Sequence, residues 1–215
     1  MNTYTAALAQ APQAQPPIWC MRQAGRYQRA YQSLRQRHSF EELCRIPDLS
    51  AAVALSSIED FDFDAAILFS DLLFPLDALG LGLSYSDHGP RLEHRLTAEM
   101  LERARSTDEM AADLAFQPEA VRTTRRLLPQ DKGLIGFVGG PWTLFVYAVE
   151  GSHTGSLARA KSSIALYRRF ADVMVPVLER VVAAQLAAGA DLVWSSTPRP
   201  ASSHPSRFSV TSFRI

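Results

Sequence analysis

Cysteine is scarce in this chain: Cys20 and Cys44 are the only two among 215 residues. They lie far apart without a C-x-x-C spacing, so a disulfide framework is excluded and two reduced thiols are expected. Long apolar runs are missing too. No stretch reaches the 18 residues that would mark a membrane span. The first residues, M-N-T-Y-T-A-A-L-A-Q, lack the basic start and continuous apolar core of a signal peptide, which points to a cytoplasmic protein. Charge of one sign is not in excess, since 22 Lys+Arg balance 22 Asp+Glu. That balance speaks against a general nucleic-acid or membrane surface, so an anionic ligand would have to be met by locally placed charge. The five histidines are scattered and form no metal-ligating motif.

What is present is an ordinary globular composition, 47% hydrophobic and 20% charged, with enough length for one sizeable core. Residues 1–15 read as an N-terminal arm or frayed helix. Buried strands are expected over Pro16–Met21, Asp64–Ser70, Gly133–Val138 and from Ala190 onward. Helices are expected over Tyr27–Arg37, Ser39–Arg45 (a capping-box spacing) and Leu49–Ile58 after Pro47. Further helices are expected over Leu72–Leu79, Thr97–Arg105, Pro118–Leu128 and Trp142–Val149. Ser156–Ala188 reads as mostly helical with a break or kink near Pro176, and Gly80–Leu96 as a loop or hairpin. Strands alternating with helices indicate an α/β protein with a parallel sheet, whose ligands bind at the carboxyl ends of the strands. Four such units make about half of a (β/α)8 barrel.

Three strand ends carry the chemistry. The first is M-R-Q-A-G-R-Y (Met21–Tyr27), with two arginines on a small-residue turn. Arg is always charged and presents a planar fork suited to carboxylates, although a solvated basic loop would look the same. The second is I-L-F-S-D (Ile67–Asp71), whose Asp71 could equally be a helix N-cap. The third is G-F-V-G-G-P-W-T-L-F-V-Y-A-V-E-G (Gly136–Gly151), in which Tyr147 could equally be a core residue with a satisfied hydroxyl. Asp62 and Asp64 read as solvated turn residues.

Together and in this order, the three blocks closely resemble the uroporphyrinogen decarboxylase family, from about Pro16 to Asp191. The resemblance implies a (β/α)8 TIM barrel, here incomplete and about its N-terminal half, and a homodimer. It implies a carboxy-lyase that removes four acetate carboxyl groups from uroporphyrinogen III to give coproporphyrinogen III in haem biosynthesis, with no metal or organic cofactor. Carried over residue by residue, it makes Arg22, Gln23, Ala24, Gly25, Arg26, Asp71 and Tyr147 substrate-binding. Asp71, Arg22 and Arg26 are then the catalytic candidates. A tetrapyrrole with eight carboxylates suits arginine counter-charges, and its converging pyrrole N–H groups suit one carboxylate. An arginine acting directly as general acid is disfavoured by a pKa above about 12.

Past Val193 the resemblance stops. The tail W-S-S-T-P-R-P-A-S-S-H-P-S-R is rich in Ser, Pro and Arg and lacks core periodicity. Read two bases later within the Trp194 codon, the same bases permit V-F-D-S-S-A-G-I-L-S-P, a family-like continuation. The expected organisation is therefore an arm (1–15), a partial barrel (16–193) and a disordered non-family tail (194–215) produced by a frameshift. An open half-barrel exposes strand edges and core surface, so low stability and low activity are expected. The alternatives are a non-catalytic remnant and a cobalamin-linked methyltransferase on the related barrel.

Overall fold

The computed structural model describes residues 2–21, 25, 27–86, 89–152 and 155–196. Its elements run α1 (Thr3–Leu8), α2 (Arg29–Arg35), α3 (Phe40–Arg45), α4 (Pro47–Phe61), β1 (Ala65–Ile67) and α5 (Phe74–Ala78). Then follow the hairpin β2 (Leu83–Ser86) and β3 (Gly89–Leu92), α6 (Ala98–Glu102), α7 (Thr107–Ala112), α8 (Phe116–Leu127) and β4 (Gly133–Gly139). The last are α9 (Pro141–Glu150), α10 (Ala158–Ser162), α11 (Ile164–Ala187) and β5 (Leu192–Ser196).

Local chemistry fixes most of these boundaries. Ser39 and Glu42 form the expected capping box: the Ser39 hydroxyl accepts the Glu42 amide, and the Glu42 carboxylate accepts the Ser39 amide. A second capping box, Ser106 with Glu109, starts α7. Prolines stand in the first turns of α4, α5 and α9, where a missing N–H costs nothing.

The sheet is parallel, in the order β1-β4-β5. Alternation along each strand sorts its two faces. Ala66 and Leu68 after β1's start, Leu134 and Val138 on β4, and Val193 on β5 face the helices. They share one buried cluster with Val121 of α8 and with Phe170, Met174, Val177 and Val181 of α11. Gly136 lies on this face because the Gln185 side chain crosses it: a Cβ there would stand 2.3 Å from Gln185 Oε1. Gln185 Nε2 donates to the Phe137 carbonyl. The opposite face carries the row Ile67–Ile135–Leu192, in register across the three strands, with Trp194 beyond it. Tyr4 of α1 closes this face from below, its ring pressed on Gly133, where a Cβ would come within 2.3 Å. Burial, with the Asp191 charge adding to it, pushes the Tyr4 phenol up to about 12.

Three expectations need correction. Pro16–Met21 is extended but is not a strand. The Ile18 amide donates to Asp64 Oδ2 (2.7 Å) and the Ile18 carbonyl accepts the Asp64 amide (3.0 Å), so the segment runs beside β1. Pro16 and Pro17 have no N–H with which to extend a ladder. α11 continues through Pro176 without a break, and the interruption lies at Ser163, between α10 and α11. Proline removes one helical hydrogen bond, but the buried face of α11 outweighs it. Asp64 is structural rather than merely solvated, whereas Asp62 keeps the exposed side chain of a solvated turn residue. Asp62 caps α4 in a left-handed conformation and pairs with the largely buried Lys132 (2.6 Å). Asp64 joins the Ile18 segment to β1, and its carbonyl accepts the Gly133 amide. At the other end of the chain, β5 runs through Ser196; residues 197–215 lie outside the described residues.

Candidate active site

Asp71 stands just past the carboxyl end of β1, where the parallel fold places ligands. Its Oδ1 accepts the Leu73 amide at 2.8 Å, an Asx turn ahead of α5. The helix-cap reading is thus half right: one oxygen serves the turn, and among the described residues the other is left for a further donor. Burial pushes the Asp71 carboxyl above its ordinary value, against the opposing pull of the Leu73 amide and the Tyr85 hydroxyl. The preceding Ser70 is held as well, its Oγ accepting Gln117 Nε2 at 3.1 Å from the buried start of α8.

Asp71 lines a cleft of about 660 Å³ between α2, α3 and the β2–β3 hairpin. Tyr31, Arg35, Phe40, Glu41 and Tyr85 form its other principal walls. An aromatic cluster supports it: Phe69 meets Tyr31 and Phe40 edge-on (5.7 and 5.8 Å), and Tyr85 lies 4.7 Å from Phe40. Such a volume suits a small organic molecule with a few fixed polar contacts. Cys44, buried behind the cleft, has its thiol pushed up by burial and by the Asp71 charge, so it is an inert packing group.

Tyr147 is half-buried on α9, which starts from the Gly139-Gly140 turn after β4. Burial raises its phenol, and the Asp71 charge adds to the rise, so the fold places the two within electrostatic reach. Gly140 is required by close approach: a Cβ there would lie 2.4 Å from the Ser196 carbonyl. That carbonyl accepts the Gly140 amide (2.9 Å) and the Thr143 hydroxyl (2.6 Å), tying the end of β5 to the start of α9.

Of the arginine turn, Arg22, Gln23, Ala24 and Arg26 lie outside the described residues. Gly25 is described. Its amide donates to Gln28 Oε1 at 3.1 Å, and Gln28 itself is 2% exposed. The same Oε1 accepts the Ser56 hydroxyl (3.3 Å), and Gln28 Nε2 reaches Asp60 (3.4 Å), both on α4. Gln28 therefore fastens Gly25 to α4. Sequence reasoning missed it, because a glutamine beside two arginines reads as a surface residue.

Among the described residues, no group of three His, Cys, Asp or Glu gathers as a metal site, and no helix is long and apolar enough to cross a membrane. Parallel strands joined by outer helices, with polar groups collected at the strands' carboxyl ends, define an incomplete (β/α)8 TIM barrel of about the N-terminal half. A methyltransferase from Methanosarcina mazei shares this fold, with a TM-score of 0.58 at 20% identity, covering 90% of this chain and 58% of that one.

The family model for uroporphyrinogen decarboxylase matches residues 1–213, and the chain belongs to that family. A uroporphyrinogen decarboxylase from Anaeromyxobacter dehalogenans is 39% identical over 198 residues, covering 85% of this chain and 57% of the relative. One from Thioalkalivibrio sulfidiphilus is 40% identical over 193 residues, covering 87% and 55%. The chain spans about half the length of the curated relatives it matches.

Proposed function

We propose that this chain carries the Asp71 half of a uroporphyrinogen III decarboxylase site and acts in porphyrin biosynthesis, in the cytoplasm and as part of a homodimer. The observation that carries the reading is Asp71 itself: a carboxylate at a parallel strand end, pinned through one oxygen and lining a cleft. The converging pyrrole N–H groups of a porphyrinogen would meet the free oxygen. Arg22 and Arg26 would hold peripheral carboxylates, and Tyr147 would donate to an acetate or propionate. In each of four rounds a proton adds to the pyrrole α-carbon next to the ring carbon that bears the acetate, giving a cationic ring. CO2 then leaves, and its bonding electrons neutralise the cationic ring. Protonation of the resulting exocyclic methylene, with loss of the ring proton, leaves a methyl group. The Asp71 carboxylate stabilises the cationic intermediate; a well-placed group of this kind contributes roughly 10²- to 10³-fold in kcat.

The decisive test joins residues 1–193 to the remaining barrel of the Thioalkalivibrio sulfidiphilus relative and measures coproporphyrinogen and CO2 release. The chimera is expected to turn over, its Asp71→Asn form to lose roughly 10²- to 10³-fold in kcat, and the 215-residue chain alone to show little activity. A folded chimera without turnover would favour a non-catalytic remnant. Unchanged turnover in Asp71→Asn would remove Asp71 from the mechanism.

A further inference from the structure

The residue closest in chemistry to Asp71 that none of the three sequence blocks contains is Tyr85, on strand β2 of the hairpin. Its ring is held on two sides, 4.7 Å from Phe40 and 6.0 Å from Phe74. Its hydroxyl is sealed from solvent yet completes no hydrogen bond, while standing close enough to the Asp71 carboxylate to favour the charged form. A buried hydroxyl left unpaired is costly and is seldom kept without a use. Asp71, for its part, has one oxygen committed to Leu73, and no described residue donates a hydrogen bond to the other. A donor without an acceptor thus faces an acceptor that still has capacity, at the wall of one cleft.

We propose that Tyr85 is the positioning residue of the Asp71 site: its hydroxyl donates to the carboxylate oxygen that Leu73 leaves free. The inference rests on Asp71 being the central acidic group of the cleft. It adds that the hairpin, and not only the strand ends, sets how that group is aimed. Held from two directions, the carboxylate presents its remaining lone pairs in a fixed orientation, as preorganised stabilisation requires. Tyr85 also favours the ionised form that burial opposes.

Among the described residues, the other titratable groups around Asp71 come from four elements. They are Tyr31 and Arg35 on α2, Glu41, Cys44 and Arg45 on α3, Asp77 on α5 and Tyr147 on α9. Arg45 pairs with both Glu41 (2.7 Å) and Asp77 (2.8 Å) and stacks over Phe74, so its charge is already engaged.

The test is Tyr85→Phe, which keeps the ring contacts and removes only the hydroxyl. Asp71 is titrated in the 215-residue chain through its side-chain carboxyl carbon resonance, assigned by comparison with Asp71→Asn. Tyr85→Phe is expected to bind the Asp71 proton about tenfold more tightly, the scale of one charge-assisted hydrogen bond. In the chimera described above, the acid limb of the activity profile is expected to move to higher pH by the same factor, with KM less affected than kcat. An Asp71 titration identical with and without the hydroxyl overturns the proposal, whether or not the chimera turns over. The titration therefore separates this inference from the assignment of the reaction. Should Tyr85→Phe fold poorly, Tyr85→Trp keeps an aromatic ring without the phenol and must show the same shift. A titration that moves with Phe but not with Trp would equally refute it.

Discussion

Between the sheet and its helices the side chains are sealed: Leu134, Val138 and Val193 share a cluster with Phe170, Met174 and Val181, none more than 6% exposed. On the other face of the same strands Ala65 and Ile135 are buried beside Tyr4 of α1, while Ile67, Leu192 and Trp194 remain partly exposed around them. Both faces are built from similar apolar residues in the same register. What separates them is what lies opposite. The outer face meets helices supplied by neighbouring parts of the chain. The inner face of a barrel is filled by side chains from strands across its axis. The stability of the described portion therefore comes mainly from the helix–sheet layer.

The largest effect that could break this contrast is a core truncation. Phe170→Ala, in the sealed layer, is expected to cost about 3–5 kcal/mol in urea unfolding, and Leu192→Ala, on the inner row, about 1 kcal/mol. Equal costs would mean that the two faces are equally closed. Next comes Gly133→Ala, whose methyl group would displace the Tyr4 ring and lift α1 from the inner face, at about 1–3 kcal/mol. Faster chymotryptic cleavage at Tyr4 would report it; an unchanged rate would show that α1 does not depend on this contact. Gln28→Leu should cost about 1 kcal/mol and accelerate amide exchange at Gly25, loosening the arginine turn while leaving both sheet faces intact. Exchange that stays slow would release Gln28 from its anchoring role.

The smallest effect is opposite in sign. Because burial raises the Asp71 carboxyl in the folded state, that state holds its proton more tightly than the unfolded chain does. The cost is absent below the ordinary carboxylate range and grows as pH rises through the raised value. Asp71→Asn keeps an oxygen for Leu73 and should melt at a higher temperature than the parent at pH 7. The gain should vanish as pH falls below the ordinary carboxylate range. A gain that persists in acid would have another origin.

Much of the outer layer was legible because its signals are local. Pro47, the Ser39–Glu42 capping box and the apolar spacing of α4 dictate their helices with little help from elsewhere. The same spacing at Ser106–Glu109 was equally readable and was passed over, since the six-residue α7 carries little apolar periodicity. The site was legible at Asp71 and Tyr147 through their blocks. Their mutual approach was not, because it depends on where β1 and β4 pair. Gln28 and Tyr85 carried no signal at all. A glutamine in a polar stretch and a tyrosine in a short hairpin acquire their roles only when α4 and α3 fold against them.

The link between Ser196 and α9 carries a consequence for synthesis on the ribosome. The carbonyl that closes the first turn of α9, through Thr143, belongs to a residue made 53 positions later. Contacts of long sequence separation form late, and chains fold as they emerge. The first turn of α9, the helix bearing Tyr147, therefore lacks this tether until β5 has left the exit tunnel, and until then the helix is held from the N-terminal side by contacts such as the Leu96 amide on the Ala148 carbonyl.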